Sequence, residues 1–281
     1  MTAPRRITEV AGRRSGWIET GPRDAPPVLL LHGGGFDHAG LTWAPVTDRL
    51  RSRFRLIVPD LPGYGESAGL GRAHDLGDLG RWVVAFKEAV DLPRAHVAGV
   101  SMGGGMALWL AIHAPERVAR LVPVAAYGTM ARLPLHGIAR RLGPLGAMRL
   151  AYGLASESRV LARIGLAGAY ADPSRIDDDT LDALMAVARE QRGRRSFEEF
   201  LTGEVTAEGL RGNLTADLHR IAAPTLMIHG RADLIVPIRH ARAAVRAIPG
   251  ARLHEMETGH WPMRERPEAF CAVLEDFLTE S

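Results

Sequence analysis

The sequence predicts an α/β protein: a mostly parallel, doubly wound sheet with an all-helical segment inserted between two of its strands. Three observations predict it. Short runs rich in valine, isoleucine and leucine recur at 28–31, 55–58, 96–100, 121–125 and 225–229. Segments with helical spacing separate them, and strands that are apolar throughout belong to sheets covered on both faces. From about 127 to 214 the alternation stops and the text is helical.

After the first two runs, Leu76, Leu79, Val83, Phe86 and Val90 fall at helical spacing, and the run at 96–100 follows them. A second helix is expected around 106–113, then the strand at 121–125. Inside the inserted segment, "LHGIARRLGPLGAMRLAYGL" is helical, and Leu181, Leu184, Met185 and Ala188 recur at i, i+3, i+4 and i+7 behind the possible caps Asp178 and Asp179. The last strand is expected at 253–256, followed by an amphipathic terminal helix. No fixed-period repeat interrupts this order.

With 281 residues, 46% of them hydrophobic, the chain suits one large domain carrying an insertion. Its net charge is only +3, and Lys87 is the single lysine among 35 basic residues. The basic clusters Arg140–Arg141 and 192–195 lack aromatic interleaving, so they are expected to be solvated helix faces and no nucleic-acid partner is expected. Cys271 is the only cysteine, which excludes an intrachain disulfide and a multi-cysteine metal site. The first residues contain no apolar signal region, and no uninterrupted apolar run reaches the ~18 residues of a membrane span. The expectation is a soluble, cytoplasmic protein with no membrane partner.

Gly99-Val100-Ser101-Met102-Gly103 fits G-x-S-x-G between an expected strand and an expected helix. A turn that sharp strains the serine backbone, and only glycines leave room for the crossing chain. The helix N-terminus beneath the hydroxyl favours negative charge. A phosphate-binding reading is disfavoured, since no G-x-x-x-x-G-K-[ST] occurs.

A serine needs a base, and the base an orienting carboxylate. His260 lies in "TGHWPM", directly after the last expected strand, and Asp233 lies in "HGRADLIVP", directly after the strand at 225–229. The order Ser101, Asp233, His260 is the one associated with this turn. Asp60 also follows a strand but precedes the serine, and is expected to serve a turn. His32-Gly33-Gly34-Gly35 follows the first strand and is expected to offer an oxyanion-binding N–H from Gly34, with Gly33 and Gly35 as adjacent candidates; Met102 supplies the second N–H.

On "HGGG", "DLPGYGES", "GVSMGGG", "HGRADLIVP" and "GHWPM" the sequence resembles the α/β-hydrolase superfamily over essentially its whole length. The resemblance implies a core of residues 1–126 and 215–281, a helical cap of residues 127–214, and an acyl-enzyme on Ser101 formed without metal or organic cofactor. "HGGG" with "GHW" is similar to meta-cleavage-product hydrolases, which break C–C bonds in dienoates. Those enzymes usually carry asparagine before the serine and proline after the glycines, where Val100 and Phe36 stand here. "SMGGG" is similar to haloperoxidase-like esterases. The broader expectation is hydrolysis of an ester, lactone or thioester, with C–C hydrolysis, acyl transfer or cyclisation, and a non-catalytic receptor as alternatives. The substrate is expected to be a small hydrophobic acyl or aromatic molecule. Leu142, Leu145, Met148, Leu150, Leu154 and Leu166 suggest an apolar cap interior or helix-on-helix packing; Phe36, Trp43, Met102 and Trp261, near the catalytic loops, are pocket or core.

Overall fold

A computed structural model of the chain describes residues 4–133, 136–142 and 146–280. The strands are β1 (Arg5–Val10), β2 (Arg13–Thr20), β3 (Pro27–Leu31), β4 (Arg55–Pro59), β5 (Ala95–Val100), β6 (Val118–Val124), β7 (Leu226–Gly230) and β8 (Arg252–Met256). They form one sheet in the order β1-β2-β4-β3-β5-β6-β7-β8. β3 to β8 run parallel, and β1 and β2 add an antiparallel edge. That edge hairpin was not expected: Arg5, Arg6, Arg13 and Arg14 are exposed, so these strands lack the continuous apolar signature of the buried ones.

The helices are α1 (Ala39–Leu50), α2 (Leu76–Ala89), α3 (Met102–His113), α4 (His136–Leu142), α5 (Ala147–Glu157), α6 (Arg159–Ala167), α7 (Asp178–Gln191), α8 (Ser196–Glu204), α9 (Arg239–Ala247), α10 (Pro262–Glu265) and α11 (Pro267–Thr279). Alternate strand residues feed two cores. Leu29, Leu31, Ile57, Val97 and Met227 pack with α2, α3 and α9 on one face. Val28, Leu30, Val58, Val100 and Ile228 pack with α1 and α11 on the other. This is why the central strands are apolar at every position.

Among the described residues, α4 to α8 all lie between β6 and β7, in the inserted segment. α5, α6 and α7 join the α1 side of the core, and Phe200 of α8 joins the α2 side. Asp177, not Asp178 or Asp179, caps α7: its carboxylate accepts the Thr180 N–H at 2.7 Å. The later aspartates occupy the first turn, where the helix dipole favours negative charge. The basic run is likewise only partly a solvated face. Arg192 is exposed, but half-buried Arg194 donates to Gly63 O at 3.0 Å and Gly65 O at 2.9 Å, tying the insertion to the loop after β4. Asp60 braces that loop from within. It is fully buried, accepts Glu66 N–H at 3.0 Å and is paired with Arg5. No helix among the described residues is long and apolar enough to cross a membrane.

Lys87 is fully buried in α2, and its ammonium has no hydrogen-bond partner among the described residues. Burial, with a smaller push from Arg117, lowers it to about 8. Between that value and the ordinary 10.5 the unfolded chain binds more protons than the folded one, so this group makes stability rise with pH through that window. A Lys87→Met variant is expected to be more stable than the wild type at pH 7 by on the order of 2–3 kcal/mol in urea unfolding. The gap should narrow as pH approaches 10.5; a pH-independent gap would rule out the linkage.

Candidate active site

Ser101 joins β5 to α3 with φ 54° and ψ −118°. Its N–H donates to Val124 O at 2.9 Å and its carbonyl accepts from Tyr127 N–H at 2.9 Å, so the end of β6 holds both sides of the strained peptide. A Cβ on Gly99 would lie 2.2 Å from Gly103 O, and one on Gly103 would lie 2.4 Å from Leu31 O and His32 O. Neither backbone contact can yield. The flanking glycines are therefore steric requirements of the turn.

Asp233 follows β7 and His260 follows β8. The structure brings them together, with His260 Nδ1 2.8 Å from Asp233 Oδ2. A carboxylate partner places the proton on Nδ1 and leaves Nε2 as an acceptor. Asp233 Oδ1 accepts the N–H groups of Ile235 at 2.8 Å and Val236 at 2.9 Å. Burial alone would push this carboxyl up, but hydrogen bonds from His229 and His260 hold it well below the usual carboxylate range. His260 is itself only 4% exposed, and its N–H donates to Ala169 O of the inserted segment at 2.7 Å.

The glycine run after β3 resolves into three roles. Gly33 N–H donates to Asp37 Oδ2 at 2.7 Å, and Gly35 N–H to the Tyr64 hydroxyl at 3.0 Å. Gly34 N–H makes no such bond among the described residues, so of the three candidates it is the one left to serve a ligand. Met102, the first residue of α3, likewise has no intrahelical acceptor for its N–H. Asp37, fully buried, also accepts the His38 N–H at 2.8 Å and the Thr42 hydroxyl. Burial pushes this carboxyl up to about 7 despite those hydrogen bonds. His32 links the run to the β4 loop, its Nδ1 2.7 Å from Gly33 O and its Nε2 accepting Leu61 N–H at 2.9 Å. Burial lowers it to about 3, which keeps the ring neutral.

Ser101, Met102, Gly34 and His260 line one cavity of about 600 Å³. Phe36 and Trp261 line it too. Trp43 does not: it is fully buried under the sheet, its ring 6.3 Å from that of Phe270, because it faces inward from α1. Of the leucines proposed from the inserted segment, Leu154 and Leu166 reach the cavity, while Leu150 is 66% exposed. Leu145 and the side chain of Leu142 lie outside the described residues. Sequence reasoning missed Tyr127, Met130, Phe197 and Phe200, which also line it. Phe197 covers the glycine run so closely that a Cβ on Gly34 would lie 2.6 Å from its ring. Among the described residues the lining includes no arginine, lysine, aspartate or glutamate. The inserted stretches 134–135 and 143–145 contain none in sequence. No group of three or more metal-ligating side chains occurs among the described residues.

Residues 26–267 match the family described as alpha/beta hydrolase fold. The chain belongs to that family. Over 275 residues this alpha/beta hydrolase is 30% identical to the dihydrolipoyllysine-residue acetyltransferase component of the acetoin cleaving system of Pseudomonas putida, covering 96% of this chain and 68% of that one. It is 31% identical to a 2-hydroxymuconate semialdehyde hydrolase of Pseudomonas putida, covering 100% and 98%. Its fold matches that of a 2-hydroxy-6-oxo-6-phenylhexa-2,4-dienoate hydrolase from Rhodococcus with TM-score 0.81, 24% identity and 99% coverage of both chains.

In this alpha/beta hydrolase one carboxylate fastens the inserted segment to the histidine loop. Glu265, 3% exposed, accepts N–H groups from Gly259 at 2.7 Å, Ala171 at 3.1 Å and Asp172 at 3.0 Å. Replacing Glu265 with leucine would strand three backbone donors, at a cost of roughly 2–4 kcal/mol. Urea unfolding should show that loss, and amide exchange should accelerate at Gly259, Ala171 and Asp172 first. Unchanged protection at those amides would contradict this assignment.

Proposed function

We propose that the chain is a serine hydrolase of small, uncharged, hydrophobic carboxylic esters, with lactones and thioesters in the same class. Ser101 is the nucleophile, His260 the general base, Asp233 the group that orients it, and the Gly34 and Met102 N–H groups receive the oxyanion. His260 Nε2 takes the Ser101 proton as the hydroxyl oxygen attacks the acyl carbon, and returns it to the departing alcohol. Water, activated by the same nitrogen, then releases the acid. In this reading residues 127–214 act as a cap whose inner face walls the substrate.

The observation that carries the reading is the lining of the cavity. Ser101 and His260 open into a space of about 600 Å³ that holds, among the described residues, no charged partner for a substrate carboxylate. An ionised group enclosed there without a cation would cost several kcal/mol, whereas an uncharged acyl chain gains from burial. C–C hydrolysis of a dienoate is the second reading, supported by the likeness to the 2-hydroxymuconate semialdehyde hydrolase along its whole length. Acyl transfer has support from the acetyltransferase relative. A receptor without turnover would bind ligand in the same cavity.

A fluorophosphonate is expected to label Ser101, and p-nitrophenyl hexanoate to be hydrolysed with a burst. Ser101→Ala should lower kcat by roughly 10⁵–10⁶-fold. The neutral ester should exceed p-nitrophenyl hemisuccinate in kcat/KM by at least ~100-fold, about 2.7 kcal/mol of discrimination. Faster turnover of a 6-oxo-dienoate than of any ester would transfer the assignment to C–C hydrolysis. An unlabelled Ser101 in folded protein would remove the hydrolase reading altogether.

A further inference from the structure

A second imidazole touches the proposed triad acid. His229 lies within β7, four residues before Asp233, and is fully buried. Its Nε2 is 2.7 Å from Val236 O and 3.3 Å from Asp233 Oδ2. A carbonyl can only accept, so Nε2 carries the proton and donates it to Val236 O, with Asp233 Oδ2 beside it at 3.3 Å. Nδ1 is buried and has no partner among the described residues. An unsatisfied ring nitrogen is costly in a strand interior that an aliphatic side chain would fill without penalty.

The contacts around Asp233 explain what that cost supports. Oδ1 is held by the N–H groups of Ile235 and Val236, and Oδ2 faces both His229 Nε2 and His260 Nδ1. Without His229, Oδ2 would keep His260, the very group it has to orient, as its one neighbouring donor among the described residues. The Val236 carbonyl, gripped by the same Nε2–H, closes the 233–236 turn from its other end.

We infer that His229 is a positioning residue, fixing the plane of the Asp233 carboxylate so that Oδ2 meets His260 Nδ1. The inference rests on reading Asp233 and His260 as the acid and base of the site.

His229→Met keeps the bulk and removes the donor, whereas His229→Gln keeps an N–H at similar reach. The Met variant is expected to lose roughly 10–100-fold in kcat on p-nitrophenyl hexanoate, with KM changed by less than about threefold. Its downfield proton resonance from His260 Nδ1–H should weaken, and the Gln variant should restore the resonance and most of the rate. A folded Met variant with wild-type kcat and resonance overturns the inference, as does a Gln variant that fails in parallel with Met. Should the Met variant not fold, the wild type itself decides: nitrogen NMR of labelled histidine must show a proton on His229 Nε2, and a ring without an Nε2–H refutes the assignment. Those spectra need no substrate, so failure of the ester reading with an intact His229–Asp233–His260 contact is told apart from failure of this inference.

Discussion

The peptide at Ser101 is the constraint on which the site depends. Its left-handed backbone is unfavourable for any residue with a side chain, and strain of this kind persists only where surrounding structure over-determines it. Here Val124 O and Tyr127 N–H grip it from β6, while Gly99 and Gly103 allow chain crossings that no Cβ could share. The strain delivers three things together: a hydroxyl in the cavity, an unused N–H on Met102, and a helix starting directly behind both. Relaxing the turn would lose all three.

Around that turn the molecule places buried carboxylates opposite backbone N–H groups more often than opposite cations. Asp37 holds the glycine run, Glu204 takes Leu76 N–H and the Tyr127 hydroxyl at 2.9 Å each, and Glu265 holds the histidine loop. A carboxylate that collects several N–H donors satisfies loop backbone which no sheet or helix can satisfy. The loops that converge on the cavity therefore keep defined positions without filling the cavity with charge. That separation is what leaves an apolar chamber around Ser101 and His260.

Much of this was legible in the chain itself, for identifiable reasons. The central strands announce themselves because residues such as Val28 and Leu29 feed opposite cores, leaving no polar position between them. G-x-S-x-G could be read because strain demands glycine at fixed spacing. The β1–β2 edge escaped because its arginines face solvent and its buried positions, Val10 and 15–17, make no apolar run. Trp43 misled because proximity to the glycine run in sequence does not say which side of α1 a ring occupies. Phe197 and Tyr127 were hidden for the opposite reason: they reach the cavity through the tertiary placement of the insertion. His229 was read as strand and nothing more, since its contact with Asp233 depends on a turn whose path no local pattern encodes.

The near-absence of lysine has a practical meaning of its own. A protease that cuts after lysine has one internal target in the entire chain, at Lys87, and that target is sealed in α2 between the sheet and solvent. Cleavage there requires the helix to come away from its core, and the two fragments it yields are of known size. The chain thus carries a single-site reporter of its own opening, in which the rate of appearance of those fragments measures how often this face of the sheet is uncovered.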